Sequence, residues 1–130
     1  MSLGERFNLM KIYKNTHFNR WQSKNKITNI TIIQAVEEME KGLIDADLGG
    51  SLYKKRIAKA GMGKRGGYRT IVAMKQKMGW FFLFGFAKNE VDNIDNKELI
   101  ALKEYTNEYL FVNLAELLNL KEIIEVIDNE

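Results

Sequence analysis

The sequence feature that most constrains the fold is one apolar run, Trp80-Phe81-Phe82-Leu83-Phe84-Gly85-Phe86. Aromatic residues favour strands, and a run of this length is much shorter than a membrane-spanning helix needs. Apolar and polar residues do not alternate in it, which is typical of a strand buried on both faces. The sequence therefore predicts a sheet that has this run as its central strand.

Two further strands are expected before this run. Leu52–Ala58 is a short candidate, and Tyr68–Lys75 contains several β-branched residues. The glycine-rich segment 59–67 would join them as a mobile loop, and a tight turn at 76–79 would lead into the central strand. These connections form two hairpins and make this part of the sheet antiparallel.

Helical patterns flank the three strands. A first strand at Lys11–Lys14 precedes a helix that Asn15 or Thr16 caps, and a second helix follows Thr28 and stops at Gly42. Beyond residue 93 apolar residues recur at helical spacing in two segments, and the stretch 123–127 fits either a helix or an edge strand. We predict an α+β fold with helices on one face of a mostly antiparallel sheet.

Composition limits the class of protein. The 130 residues suffice for one ordinary domain, and 45% hydrophobic with 28% charged residues is typical of a soluble globular chain. Cysteine is absent, which favours a reducing, cytoplasmic location, and no segment resembles a membrane span or a secretory signal. We expect residues 1–9 to be disordered or a cloning remnant, and residues 10–130 to form a single domain with a C-terminal helical extension.

Charge is distributed very unevenly along the chain. Between Asp47 and Glu90 there are ten basic residues and no acidic one, whereas from Glu90 onwards eleven acidic residues face three lysines. A block of positive charge attracts a polyanion, and counterion release then favours nucleic-acid binding. The middle segment therefore predicts a surface that binds phosphates, while most of the acidic C-terminal part reads as solvated helix faces.

Alternation along the two hairpin strands brings part of this charge together. Lys54 and Arg56 share one face of their strand, and Arg69 can join them if the two strands pair. Lys64 and Arg65 would lie above this concave patch. Residues expected to attach the protein to RNA are Lys55, Lys59, Lys64, Arg65 and Tyr68, the last by stacking on an unpaired base.

Such a patch has a chemical use. Cleavage of RNA by its own 2′-hydroxyl needs a proton acceptor, a proton donor and charge stabilisation on the phosphate. Arginine has the forked donor geometry that phosphate oxygens require, and a lysine crowded by other cations approaches acid or base duty. A nuclease can therefore work here with no metal and no cofactor, and we expect neither.

Other candidate residues receive structural interpretations. His17 starts the first helix, far in sequence from the basic segment, and is assigned a structural or surface role. Glu37, Glu38 and Glu40 are read as a solvated helix face because no histidine accompanies them. The segment 61–67 lacks the order of a phosphate-binding loop, and Phe86 is expected in the core more than on an RNA base.

The stretch Lys54-Lys55-Arg56-Ile57-Ala58-Lys59-Ala60-Gly61-Met62-Gly63-Lys64-Arg65-Gly66-Gly67-Tyr68-Arg69-Thr70-Ile71-Val72, followed by Phe81-Phe82-Leu83-Phe84-Gly85-Phe86-Ala87-Lys88-Asn89-Glu90, resembles the RelE/HigB superfamily of type II toxins. The resemblance extends over roughly Lys11 to Lys103. It implies a fold of one strand, two helices, three antiparallel strands and a helix.

The resemblance also implies a function, that of a ribosome-dependent mRNA endonuclease held inactive by a cognate antitoxin that wraps it. Carried over to this chain, the functional positions are Lys54, Arg56 and Arg69 on the hairpin strands and Lys88 at the end of the last strand. Some relatives have a tyrosine or histidine near that end, where this sequence has Phe86 and Lys88. The partners implied are the antitoxin, mRNA and the ribosome, with no membrane.

Two other functions are consistent with the same sequence. The superfamily contains ParE-type gyrase poisons, which share the fold and not the reaction, so the fold alone does not decide activity. A plain nucleic-acid-binding module is the third possibility. Loss of cleavage in Arg69→Ala with nearly intact binding indicates catalysis, whereas a binding module yields no product at all.

Overall fold

The computed structural model of the protein describes residues 10–59, 63–87 and 94–127, with residues 63–66 described by their backbone alone. Its centre is a six-stranded sheet with the order β2-β3-β4-β5-β1-β6. Strands β1 and β5 are parallel, and the other neighbouring pairs are antiparallel. The predicted α+β class with a mostly antiparallel sheet is confirmed.

The N-terminal part follows the predicted order. Strand β1 (Ile12–Asn15) leads into helix α1 (Thr16–Lys24), where the side chain of Asn15 accepts a hydrogen bond from the backbone of Phe18. Helix α2 (Asn29–Glu40) begins at Thr28, whose hydroxyl caps it in the same way. Both caps predicted from the sequence are confirmed.

The middle of the chain forms four strands, one more than predicted. Strand β2 (Ala46–Gly49) pairs with β3 (Leu52–Lys59), and β4 (Gly63–Lys75) pairs with both β3 and β5 (Gly79–Ala87). The prediction of a loop over 59–67 was wrong, because β4 already begins at Gly63 and β3 continues to Lys59. Glycine weakens strand propensity, but cross-strand pairing overrides it here.

Strand β5 is the buried central strand that its sequence predicts. Trp80 and Phe82 pack on the face that α1 and α2 cover, where they meet Phe18 and Ile32. Residues of alternate position, such as Phe81, pack into a second core on the opposite face. The register slips by one residue between the β4 positions 71 and 72, which is the signature of a bulge in β5.

The C-terminal part covers that opposite face, contrary to the prediction of helices on one face alone. It consists of α3 (Asn96–Tyr105), a π-helical turn (Thr106–Leu110), α4 (Leu114–Asn119) and β6 (Ile123–Glu125). Strand β6 pairs with β1, so the ambiguous stretch near the C-terminus is an edge strand. None of the helices in the described ranges is long and apolar enough to cross a membrane.

Candidate functional site

Three neighbouring strands place Arg56, Arg69 and Phe86 directly opposite one another, on β3, β4 and β5. We call this set the arginine row. The adjacent cross-strand set is Lys54, Ile71 and Phe84. Opposed residues in antiparallel strands have their Cβ atoms about 5 Å apart. The sequence-predicted meeting of Lys54, Arg56 and Arg69 on one face is therefore present in the sheet register.

Arg56 is fixed by an acidic residue that sequence reasoning did not single out. The backbone N–H of Arg56 donates to Asp45 Oδ2 at 2.7 Å, and Arg56 Nε lies 3.3 Å from Asp45 Oδ1. The Arg56 side chain is 45% exposed. Asp45 lies just outside the acid-free segment in sequence, and strand β2 folds it back onto β3. The guanidinium is thus oriented by Asp45 while the side chain stays partly exposed.

Arg69 differs from Arg56 in its partners. Its Nη1 atom is buried and has no hydrogen-bond partner among the described residues. A buried donor without a partner costs about 1–3 kcal/mol, and like charges directly opposite each other in a sheet are unfavourable as well. Arg69 thus lies directly opposite Arg56, with one guanidinium nitrogen that has no hydrogen-bond partner among the described residues.

Lys55, which was predicted to contact RNA, is enclosed between the sheet and α2, and this position does not suit an RNA contact. Its side chain is 3% exposed, its Nζ lies 2.8 Å from Glu38 Oε1 on α2, and it donates to the carbonyl of Leu43 at 2.8 Å. Strand alternation turns Lys55 toward the face that α1 and α2 cover, away from Lys54 and Arg56. Its ion pair with Glu38 connects α2 to the sheet.

Tyr68 is likewise a core residue and not a base-stacking one. It is 6% exposed, and its ring meets the edge of the Trp21 ring at a centroid distance of 5.2 Å. Lys59, an exposed residue, places its Nζ 5.9 Å from the Tyr68 ring centre. Phe86 is also buried, at 3% exposure, in agreement with the core role preferred for it.

Three predicted site residues lie outside the described side chains. Lys88 falls in the segment 88–93, and Lys64 and Arg65 belong to the four residues described by backbone alone. The backbone of Lys64 and Arg65 lies in β4. Their predicted roles stay predictions.

An open groove beside the arginine row was not predicted. It has a volume of about 420 Å³ and lies between one face of α1 and the end of β5; its lining residues are His17, Arg20, Trp21, Lys24, Phe84, Gly85 and Phe86. We call it the aromatic groove. His17 is stacked on Phe84, with ring centres 5.4 Å apart and planes 4° apart.

His17 therefore lies next to the site, although it is remote from it in sequence. Strand β1 pairs with β5 in parallel at Trp80–Phe82, and α1 follows β1 directly, so the start of α1 arrives beside Phe84. The available signal was the spacing of His17, Arg20, Trp21 and Lys24, which places all four on one helical face. The helical spacing alone could not show that this face lies beside Phe84, since that depends on the pairing of β1 with β5.

The helix α2 carboxylates have mixed roles. Glu38 pairs with Lys55, and Glu40 accepts a hydrogen bond from the indole nitrogen of Trp80 at 3.0 Å. Glu37 and Glu40 are exposed, as expected for a solvated helix face, whereas Glu38 is half-buried against Lys55. Within the described part of the chain, no cluster of three or more histidine, cysteine or acidic side chains is arranged to hold a metal ion.

Comparison with protein families agrees with this architecture. The family described as "RelE toxin of RelE / RelB toxin-antitoxin system" matches residues 10–128. The chain belongs to the RelE toxin family. No match was found among curated proteins. Membership of the RelE family makes the protein a toxin of a toxin–antitoxin system and gives it a cognate antitoxin as partner.

Proposed function

We propose that this RelE-family toxin is a ribosome-dependent mRNA endonuclease, and that the arginine row binds the scissile phosphate. The observation that carries the proposal is the juxtaposition of Arg56 and Arg69 on neighbouring strands, with a buried Arg69 donor that has no partner among the described residues. A phosphate accepts hydrogen bonds from both guanidinium groups and relieves their mutual repulsion.

The reaction proposed is attack of a ribose 2′-hydroxyl on the adjacent phosphate, with departure of the 5′-oxygen of the next nucleotide. Negative charge increases on the non-bridging oxygens as the new bond forms, and a preorganised guanidinium stabilises that charge most in the transition state. Asp45 fixes the orientation of Arg56, so the donor loses little conformational freedom when the phosphate arrives.

Proton transfer is assigned to the lysines of the site. Lys54 occupies the cross-strand set next to the arginine row, on the same face of the sheet. Lys88 follows β5 directly in sequence, and the resemblance to the superfamily places a functional residue at the end of that strand. We propose that these two lysines assist proton transfer or stabilise charge, and that Lys59, Lys64 and Arg65 contact ribosomal RNA.

The test is mapping of mRNA cleavage in a purified translation system, with and without ribosomes, for the wild type and Arg69→Ala. We expect ribosome-dependent cuts whose rate falls about 100- to 1,000-fold in Arg69→Ala, since removal of one such donor has this effect at comparable sites. Lys41→Ala is the matched control, because Lys41 is an exposed cation at the end of α2.

Each outcome has a distinct meaning. A retained rate in Arg69→Ala contradicts the proposed phosphate site. Intact mRNA together with toxicity in cells contradicts the nuclease and indicates a toxin that inhibits a protein target, such as gyrase. A thermal unfolding curve of Arg69→Ala establishes that loss of cleavage does not come from loss of the fold.

A further inference from the structure

The aromatic groove combines the two kinds of group that bind single-stranded RNA. Its floor and walls are aromatic, from Trp21, Phe84 and the exposed His17 that lies parallel to Phe84. Arg20 and Lys24 add two exposed cations from the same face of α1. None of the lining residues is acidic. Aromatic platforms beside cations hold unpaired bases by their faces and the backbone by its phosphates.

The stacked pair of His17 and Phe84 gives the groove a place for one more ring. With planes 4° and ring centres 5.4 Å apart, the imidazole and Phe84 form an offset parallel stack. His17 is exposed, so its outer face can take a nucleobase. Base stacking on aromatic side chains depends little on sequence because every base has a π face.

Gly85 keeps the groove open and rigid. A Cβ atom at this position would lie 2.4 Å from two ring carbons of Trp21, so the indole packs directly against the strand backbone. Trp21 also contacts Phe18 and Tyr68 in the core, with ring centres 5.4 and 5.2 Å away. A wall fixed in this way loses little conformational freedom when a ligand enters.

The groove and the arginine row are neighbours that share one residue. Phe86 lines the groove and also lies directly opposite Arg69, and Phe84 lines the groove in the cross-strand set of Lys54. A strand of RNA whose phosphate lies on Arg56 and Arg69 therefore extends into the groove by passing over the end of β5. Two residues along a β-strand span about 6.6 Å, so Phe84 and Phe86 lie within the reach of neighbouring nucleotides.

We propose that the aromatic groove is a second RNA subsite, which holds the unpaired nucleotide next to the scissile phosphate: its base stacks on His17 and Phe84, and its outer phosphate contacts Arg20 and Lys24. The inference rests on the proposed function for the direction of the RNA. Its binding chemistry depends on the groove alone.

The experiment is a titration of the ¹⁵N-labelled full chain with a single-stranded RNA hexanucleotide carrying 2′-O-methyl groups, which block cleavage. The chain has two tryptophans, so two indole N–H signals are expected. Trp21 lines the groove, whereas Trp80 is 3% exposed and hydrogen-bonded to Glu40. We expect the Trp21 signal to move on binding and the Trp80 signal to stay, with the Trp21→Phe variant providing the assignment.

A paired substitution tests the cations. In Arg20→Ala/Lys24→Ala we expect about tenfold weaker binding, and a slope of log affinity against log salt that is smaller by about 0.7, the value for one neutralised phosphate on a single strand. Lys41→Ala/Lys121→Ala removes two exposed lysines elsewhere and is the control of equal charge. His17→Ala should weaken binding about fivefold or more, and His17→Phe should restore most of it.

The outcomes separate this inference from the proposed function. A stationary Trp21 signal at saturation, or an equal loss of affinity in the groove and control variants, overturns the subsite even if mRNA is cut on ribosomes. A Trp21 shift with the expected loss in Arg20→Ala/Lys24→Ala supports it even if the wild type cuts no mRNA. In that case the groove binds RNA and the endonuclease proposal fails.

Discussion

Neighbouring cations on the two faces of the sheet differ in burial and in their partners. On the face that α1 and α2 cover, Lys55 is enclosed and joined to Glu38 and to the carbonyl of Leu43. On the opposite face, the next residue, Arg56, is exposed and lies across from Arg69, whose buried Nη1 has no partner among the described residues. Adjacent residues of one basic run thus serve stability on one face and, as we propose, phosphate binding on the other.

The comparison predicts its largest effect on stability at Lys55. Lys55→Met keeps most of the side-chain volume but leaves Glu38 without its cation and the Leu43 carbonyl without its donor. We expect a loss of about 2–3 kcal/mol in the free energy of unfolding, below the range for fully buried pairs because the Glu38 side chain is 33% exposed. Urea denaturation monitored by tryptophan fluorescence measures it.

The matched control is Lys59→Met, four residues along the same strand. Lys59 is exposed and contacts the Tyr68 ring, which is worth about 0.5–1 kcal/mol at an exposed site. If Lys59→Met lowers the free energy of unfolding as much as Lys55→Met does, the buried ion pair of Lys55 adds no special stability. The contrast between the two faces then fails.

The contrast also shows what sequence could predict. Strand alternation alone separated Lys55 from Lys54 and Arg56, and the aromatic run from residue 80 predicted the central strand. It did not show that Lys55 would be enclosed, since that depends on where α2 packs. Strand β2 was missed because Ala46–Gly49 is short, carries an aspartate and ends in glycine, so its pairing with β3 outweighs its weak propensity.

The candidate site was predictable only where it follows local periodicity. The meeting of Arg56 and Arg69 follows from hairpin pairing between segments close in sequence. His17 and Asp45 reach the site through the parallel pairing of β1 with β5 and through strand β2, and neither contact leaves a periodic signal. Tyr68 was misassigned because an aromatic residue beside cations has the same pattern whether it faces RNA or Trp21.

The second prediction is that replacing Arg69, on the face opposite Lys55, increases the stability of the fold. Arg69→Leu removes a buried donor that lacks a partner among the described residues and relieves the repulsion with Arg56, and leucine suits the apolar surroundings of Ile71 and Phe86. We expect the free energy of unfolding to rise by about 1 kcal/mol while RNA cleavage is lost. Thermal unfolding of Arg69→Leu beside the wild type measures the first effect.

A loss of stability of about 1 kcal/mol or more in Arg69→Leu would contradict this account. It would mean that Arg69 already has favourable interactions in the folded protein, and that its position opposite Arg56 carries no cost. Arg56→Leu is the comparison variant, since it loses the Asp45 contacts and should be slightly destabilised.

The smallest expected effect concerns Asp45, which tests how Arg56 is oriented. Asp45→Asn keeps an oxygen that can accept from the Arg56 backbone N–H but removes the charge that faces Nε. Because Arg56 is 45% exposed, solvent screens the pair and the coupling should be only about 0.5 kcal/mol. A double-mutant cycle of Asp45→Asn with Arg56→Met in urea denaturation isolates it, and about 1 M salt should abolish it. A coupling that persists in high salt would show that a directional hydrogen bond between Arg56 Nε and Asp45 Oδ1, and not screened charge attraction, orients Arg56.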